Sequence, residues 1–390
     1  MPRVHPRGTK ILSRHRSGYL PTLDGWRSIA IMAVIVQHGY GFTQFGLTKI
    51  VRVLHWQGIA ELLPTIGEKG VELFFAISGF LITTRLVEEH NAFGRISLKG
   101  FYIRRASRIL PPAVTYLAIV ALLGLLGIIA VHPTELLASL FFFRNYLQTP
   151  GWFTGHFWSL AVEEHFYLIW PSLVVLLGLR RSRFAAAVGI MAVLIWRTFD
   201  WQAMLTTAKY HTDLRLDGLL VGCLAALFFR ELREYLTKRW TVILPALLFV
   251  FYFAINGVHT QWLSLAKLGQ SLAVTTVIAA TVANPDWGFS RLLETKILRW
   301  VGSLSYSLYL WQQIFLNPTL VNHRYVILQT VARVAMAFIC AYLSYRIIEK
   351  PAIRLGHRLA PPATPGRGDL DSRSRSAVPA ETAVAAAEHS

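Results

Sequence analysis

The chain has 390 residues, of which 54% are hydrophobic and only 15% charged, against about 25% charged in an average soluble domain. Its formal charge of +18 would suit nucleic acid, but the basic residues sit in short loops and at the two ends, as positive-inside topology requires, so no nucleic-acid partner is expected. The only cysteines, Cys223 and Cys340, each lie inside an apolar block, which excludes a disulfide framework.

Residues 1–22 form a basic segment with no small-residue cleavage site after the first apolar run, the pattern of an uncleaved cytoplasmic anchor. Apolar runs long enough to cross a bilayer follow at 28–45, 68–86, 109–131, 157–178, 184–200, 213–229, 240–257, 263–283, 300–319 and 326–348. The stretch 135–147 is apolar but too short to cross, and reads as a re-entrant or interfacial helix. The loops at 85–108, 179–183, 230–239 and 284–299 hold sixteen Lys or Arg, and the loops of the opposite side hold six, which makes the first side cytoplasmic. Both basic ends fall on that side, which demands an even number of spans. The expected fold is an all-α polytopic membrane protein of about ten transmembrane helices, N-in and C-in, in a bacterial-type inner or plasma membrane. Residues 23–355 make one transmembrane domain. Residues 356–390, rich in Pro, Ala and Ser from 361 onward, make a disordered cytoplasmic tail.

Ionisable residues inside these runs carry the chemistry. Arg27 and His38 are almost three whole helical turns apart, on one face and roughly 16 Å apart along the axis. Arg27 sits at the cytoplasmic boundary and could simply snorkel. His38 lies past the midplane, where an ionisable group is costly and points to function. Glu163 and Glu164 in HFWSLAVEEHFYLIWP (156–171) lie roughly 10 Å below the outer end of their span, close to the depth of His38. Adjacent helical residues diverge by about 100°, so only one of them can face a given pocket squarely. Arg215 and Asp217 in HTDLRLDGLL (211–220) add a pair near the outer end of another span, structural or functional. On the cytoplasmic face, Arg104, Arg105 and Arg108 of FYIRRASRILPP (101–112) share part of a helix face. They read either as ordinary positive-inside charge or as a phosphate site. Pro111 and Pro112 then start or kink the third span.

These same stretches resemble a known family. LDGWRSIAIMAVIVQH (23–38) resembles the Arg-x10-His signature of the acyltransferase-3 membrane acyltransferases. GVELFFAISGFLIT (70–83), FYIRRASRILPP, WSLAVEEHFYLIWP (158–171) and SLSYSLYLW (303–311) resemble the family's other signatures, in the same order, across about residues 20–355. The resemblance implies a ten-span fold and transfer of an acyl group, usually acetyl from acetyl-CoA, to a hydroxyl of an extracytoplasmic glycan or glycosylated small molecule. It implies that His38 is catalytic with Arg27 as its partner, and that Glu163 and Glu164 match the paired glutamates. Ser78 opens the Ser-Gly-Phe-Leu match. Trp158 and Tyr309 lie in the last two signatures and join Arg215 and Asp217 as substrate-binding or structural polar residues. Many members have a histidine after SLYLW where this chain has Gln312, so no role for that histidine carries over. Many also carry a periplasmic hydrolase-like domain. None follows here, so the chain is expected to finish the transfer itself or to hand over to a separate extracytoplasmic partner protein.

The expected mechanism follows from charge. The phosphates of acetyl-CoA, the expected donor, cannot enter hydrocarbon, but its thin arm can thread between helices. Arg104, Arg105 and Arg108, with Ser78, would hold the donor at the inner side. His38 would then activate the acceptor hydroxyl or take the acyl group, with Glu163 or Glu164 orienting its ring. No metal is expected. The rival reading is a proton-coupled transporter built on the same buried His, Glu and Arg, which internal repeats would favour; no repeat is visible.

Overall fold

A computed structural model describes residues 19–39, 65–149, 151–238, 263–317 and 325–360. Every regular element among them is helical. The expected span 240–257, the basic segment up to residue 18 and the tail 361–390 lie outside the described residues.

Helix α1 (Pro21–His38) begins on a proline, whose missing N–H would have had no helical partner there. Helix α2 (Ile66–Phe93) stops at Gly94, whose φ of 69° lets its N–H close on the His90 carbonyl. Helix α3 (Leu98–Leu125) is capped by Ser97, whose hydroxyl accepts the Gly100 N–H. It runs through Pro111 and Pro112 without ending. The arginines of 101–108 therefore sit on a helix that starts well before the expected span, not in a loop. Helix α4 (Pro133–Leu140) has eight residues and cannot cross.

The expected spans at 157–178 and 184–200 are two helices that meet at Gly178 within the 43-residue helical stretch α5 (Phe157–Phe199), and the expected loop at 179–183 is itself helical. Gly178 breaks the helix with φ 74° and ψ 162°, a conformation that suits glycine alone. Contacts show that the chain turns back there. Before Gly178, His165 hydrogen-bonds Thr212, just ahead of helix α6 (Leu216–Leu227). After it, Arg183 reaches the Leu227 carbonyl at the far end of α6, and Arg197 returns to Asp217 at the near end. Two crossings are joined at one residue.

Helices α7 (Phe229–Leu236), α8 (Leu263–Ala283), α9 (Gly288–Leu293), α10 (Lys296–Phe315) and α11 (Val326–Ser344) follow. A π-helical turn, Tyr345–Glu349, then leads into α12 (Lys350–Leu359). Among the described residues, five stretches are long and apolar enough to cross a membrane: Ile66–Phe93, Leu98–Leu125, Trp152–Phe199, Ser264–Ala283 and Leu328–Leu359. Helices α1 and α10 fall outside this set because Arg27, Gln37, His38 and the Ser, Tyr and Gln residues of α10 dilute their hydropathy. Leu125, Leu176 and Phe199 are 86%, 81% and 83% exposed, a surface suited to lipid.

The basic segments gather at one end of the bundle. Asn284 bonds the Leu236 carbonyl, Arg183 pairs with Glu231, and Arg104 bonds the Ala360 carbonyl. Thr22 at the start of α1 bonds Glu294 there as well. The described start and end of the chain thus share one side, the inner end below. Close helix contact holds the opposite elements in register. A Cβ on Gly79 would fall on the Leu219 carbonyl, and one on Gly222 would fall on the Ala76 carbonyl. Small residues therefore let the α2 and α6 backbones touch, as membrane helices do when apolar burial cannot drive them together.

Candidate functional site

Helix α1 packs between α2 and α10, so its polar face looks into the bundle. The structure places Arg27 and His38 in two adjoining cavities along that face. Val71 and Tyr309 line both cavities and mark where they meet.

The outer cavity encloses about 400 Å³ and is lined by His38, Gln37, Trp152, His156, Trp158 and Tyr210, among others. His38 Nδ1 lies 2.9 Å from Gln312 Oε1. A chain of amides decides which atom carries the proton. Gln313 Nε2 donates to the Trp152 carbonyl at 2.7 Å, so Gln313 presents its oxygen to Gln312. Gln312 Nε2 donates to that oxygen at 2.8 Å and to the Tyr309 carbonyl at 3.3 Å. Gln312 must then offer its carbonyl oxygen to His38, whose Nδ1 carries the hydrogen. The lone pair is left on Nε2, the nitrogen free for chemistry. The Trp152 ring packs edge-on, 5.4 Å away between centroids.

Glu163 and Glu164 are not the groups beside His38. They surround Arg105, which lies 3.6 Å from each carboxylate and 3.6 Å above the Tyr167 ring. Ser78 donates to Glu163 at 2.8 Å. Of the two glutamates, Glu163 lines the inner cavity and Glu164 lines neither of these two, in keeping with their divergence on the helix. The side chain that contacts the His38 ring is instead Gln312, the position at which the sequence departs from the family pattern. The departure was visible in the sequence, but its contact with α1 was not, because 274 positions separate the partners.

The inner cavity is narrow, about 80 Å³, and is lined by Arg27, Arg105, Arg108, Ser78, Glu163 and Tyr306. Arg27 pairs with Asp24 at 2.9 Å. Arg108 has no carboxylate within ion-pair distance among the described residues. Arg104 does not join them. Its guanidinium bonds the Ala360 carbonyl at 3.0 Å and lies 3.6 Å from Glu89, pinning α12 to α3. Of the arginine triplet, Arg105 and Arg108 face the cavity, and Arg27 supplies the third cation. Glu349, fully buried in the π-helical turn, accepts from Ser307 at 2.7 Å and was not singled out by any sequence motif.

Arg215 and Asp217 do not pair with each other. Asp217 binds Arg197 at 2.7 Å, and Arg197 is 1% exposed. Arg215 joins Lys69 and Lys267 around Glu72, at 3.4, 3.5 and 3.2 Å, with Gln270 also bonding that carboxylate. These ions belong to an outer support cluster rather than to the His38 cavity. Lys209, in the 3-10 turn Thr207–Tyr210 beside it, is lowered by burial, but its pair with Glu68 outweighs this and holds the ammonium above its ordinary pKa. Trp158 lines the outer cavity and packs on Tyr210 with ring centroids 4.6 Å apart. Tyr309 donates to the His156 carbonyl at 3.0 Å and shares a 2.6 Å hydrogen bond with Ser159. Among the described residues, no group of three His, Cys, Asp or Glu side chains is placed to hold a metal ion.

An imidazole whose Nδ1 is held as a donor, next to a cavity able to hold a sugar ring and above a cationic slot, is equipped, in its neutral form, to take a proton from a hydroxyl at Nε2. Comparison with known proteins agrees with such chemistry. A family model described as an acyltransferase domain matches residues 20–346. The peptidoglycan O-acetyltransferase OatA of Listeria monocytogenes is 27% identical over 390 residues, covering 89% of this chain and 58% of its own length. The O-acetyltransferase OatA of Staphylococcus aureus (strain NCTC 8325) is 28% identical over 375 residues, covering 87% of this chain and 58% of its own. This chain thus spans somewhat over half the length of these curated relatives. No solved structure matches it.

Proposed function

The chain belongs to the family of membrane acyltransferases defined by that domain, and from this premise we propose that it is an O-acetyltransferase acting on a cell-envelope glycan. The donor is cytoplasmic acetyl-CoA, and the acceptor hydroxyl enters the outer cavity. The observation that carries the reading is the arrangement along one face of α1. His38 Nε2 is left free in the outer cavity, and Arg27, Arg105 and Arg108 line the adjoining inner one. A slot of about 80 Å³ is too small for a nucleotide. The phosphates would stay at the inner end, near Arg108, and only the thin thioester arm would pass upward. The cations suit phosphate, and the cavity beyond suits a neutral acyl carbonyl.

The acceptor follows from the relatives. One carries peptidoglycan in its name, and a cavity of about 400 Å³ with a Trp158–Tyr210 wall suits a sugar ring. The membrane arrangement proposed with this is ten spans with both ends cytoplasmic, the expected span 240–257 completing the count. Purified protein in nanodiscs, given acetyl-CoA and a panel of glycan acceptors, should release free CoA and form an ester. Failure to do so with any acceptor defeats the reading. A reporter fused after Arg180 should read cytoplasmic, and an external reading would break the ten-span arrangement.

A further inference from the structure

One group in the outer cavity has no structural employment. His156 is 4% exposed and lines that cavity, yet neither ring nitrogen has a hydrogen-bond partner. Its ring is walled by Tyr116, Phe157 and Tyr309, at centroid distances of 5.3, 4.9 and 5.4 Å. Their ring faces and edges satisfy neither nitrogen. The hydroxyls that could have done so are turned elsewhere. Tyr116 donates to the Phe153 carbonyl, and Tyr309 donates to the backbone carbonyl of His156 itself. A buried polar side chain left unpaired is rare in native proteins and is retained where it has work to do.

Its position relative to His38 is fixed by one helix. Tyr309 holds the His156 backbone, and Gln312, one turn further along α10, holds the His38 ring. Both residues therefore line one cavity and are positioned from adjacent turns of a common support. One is locked into a single tautomer and the other is unconstrained.

We infer that His156 is a second catalytic residue, whose ring N–H donates to the acyl carbonyl oxygen as negative charge develops on it. The inference rests on the acyl-transfer reading above. In the step, His38 Nε2 takes the proton of the acceptor hydroxyl, and that oxygen bonds to the thioester carbonyl carbon. The carbonyl electron pair moves onto its oxygen, where the His156 N–H meets it. The pair returns, the C–S bond breaks, and the leaving sulfur takes both bonding electrons and then the proton held by His38. Thioester and alcohol have become ester and thiol. A neutral imidazole is a fitting donor here, since it stabilises the oxyanion without placing a fixed charge in a buried site.

The test separates this role from mere packing. His156→Phe keeps the aromatic contacts and removes two unpaired nitrogens, so melting temperature should stay level or rise. With acetyl-CoA as donor, kcat should fall by about 10²–10³-fold, the range for loss of one oxyanion donor, while both KM values stay close to wild type. His156→Asn, which restores an N–H, should recover part of kcat. A phenylalanine variant with wild-type kcat overturns the inference, as does an asparagine variant that recovers nothing beyond it. If the phenylalanine protein does not fold, His156→Leu, which also lacks a ring N–H, decides in its place: intact kcat assigns His156 to packing, and a kcat loss that the asparagine variant partly reverses supports the inference. Wild-type protein that transfers nothing takes down the acyl-transfer reading, whereas active wild type with an indifferent His156 takes down only this inference.

Discussion

The two cavities differ in size and in kind. The outer one holds two imidazoles and an aromatic wall in about 400 Å³, and the inner one holds three guanidiniums and one carboxylate in about 80 Å³. The small cavity is the one dominated by cations; the outer one also carries Glu68 and Arg144, but Glu68 is paired with Lys209, and Arg144 is bonded to Thr154 and to the Leu147 and Thr149 carbonyls. A narrow cationic slot can grip or exclude anions but has no room to rearrange them. A roomy cavity with one oriented and one unpaired imidazole on its wall can accept varied hydroxyls and move protons among them. Under the proposed function, binding and chemistry divide along α1, with Arg27 in the inner cavity on the side of the first and His38 in the outer cavity on the side of the second.

This division predicts which kinetic constant each substitution will move. The largest effect is expected at His38. Replacement by Gln removes basicity but keeps polarity, and should lower kcat by about 10²–10⁴-fold with donor KM nearly unchanged. A His38→Gln protein in nanodiscs that keeps near-full activity would erase the distinction between the cavities. Next comes Arg108, the inner cation without a carboxylate partner among the described residues. Arg108→Gln should raise the acetyl-CoA KM by about 10- to 150-fold, the worth of one hydrogen bond to a charged group, about 1.5–3 kcal/mol. Equal loss in kcat, measured by initial rates over donor concentration, would place Arg108 in the chemistry instead. Gln312→Leu should act on the outer side alone. Losing the acceptor of the His38 Nδ1–H removes about 1 kcal/mol of orientation, which corresponds to roughly a fivefold fall in kcat. A changed donor KM would contradict that. The smallest effect belongs to Arg104. Because it serves α12, Arg104→Gln should leave donor KM within about a factor of two. Hydrogen exchange over 350–359 should quicken instead, and an Arg104 effect equal to that of Arg108 would return the triplet to a single phosphate site.

Much of the bundle was legible in the sequence because spans are written in composition. The runs near 68–86, 157–178 and 263–283 all fall inside observed helices. The break at 178 is where the sequence places the end of a span, but the arginines of 179–183 read as a loop, whereas the structure makes them helical. One glycine with positive φ suffices to turn the chain, and the arginines simply begin the next helical turns. Arg27 and His38 were found because helical periodicity puts them on one face, a local property. The partners of His38, Arg105 and Asp217 were not, because partnership is decided between helices. Depth alone grouped His38 with Glu163, Arg215 and Asp217, but azimuth around each helix distributes them into three settings. His156 stood in plain view at the head of a quoted motif. What singles it out is the absence of any partner, which only the packed neighbourhood reveals.

The meeting point of the two cavities has a consequence for the cell that houses them. Tyr309, held by Ser159 and the His156 carbonyl and packed against Phe74 at 6.3 Å between centroids, stands between an outer vestibule and an inner slot. An open pore at this place would short-circuit the membrane potential, worth about 2.3 kcal/mol per elementary charge per 100 mV. Handing a neutral acyl group past a tyrosine, from one carrier to another, needs no continuous water path. The arginines beneath it repel any proton or metal cation that approaches from the inner end. Under the proposed function, such a waist would let acyl equivalents through and keep ions out, so that chemistry could be exported without discharging the gradient that energises the cell.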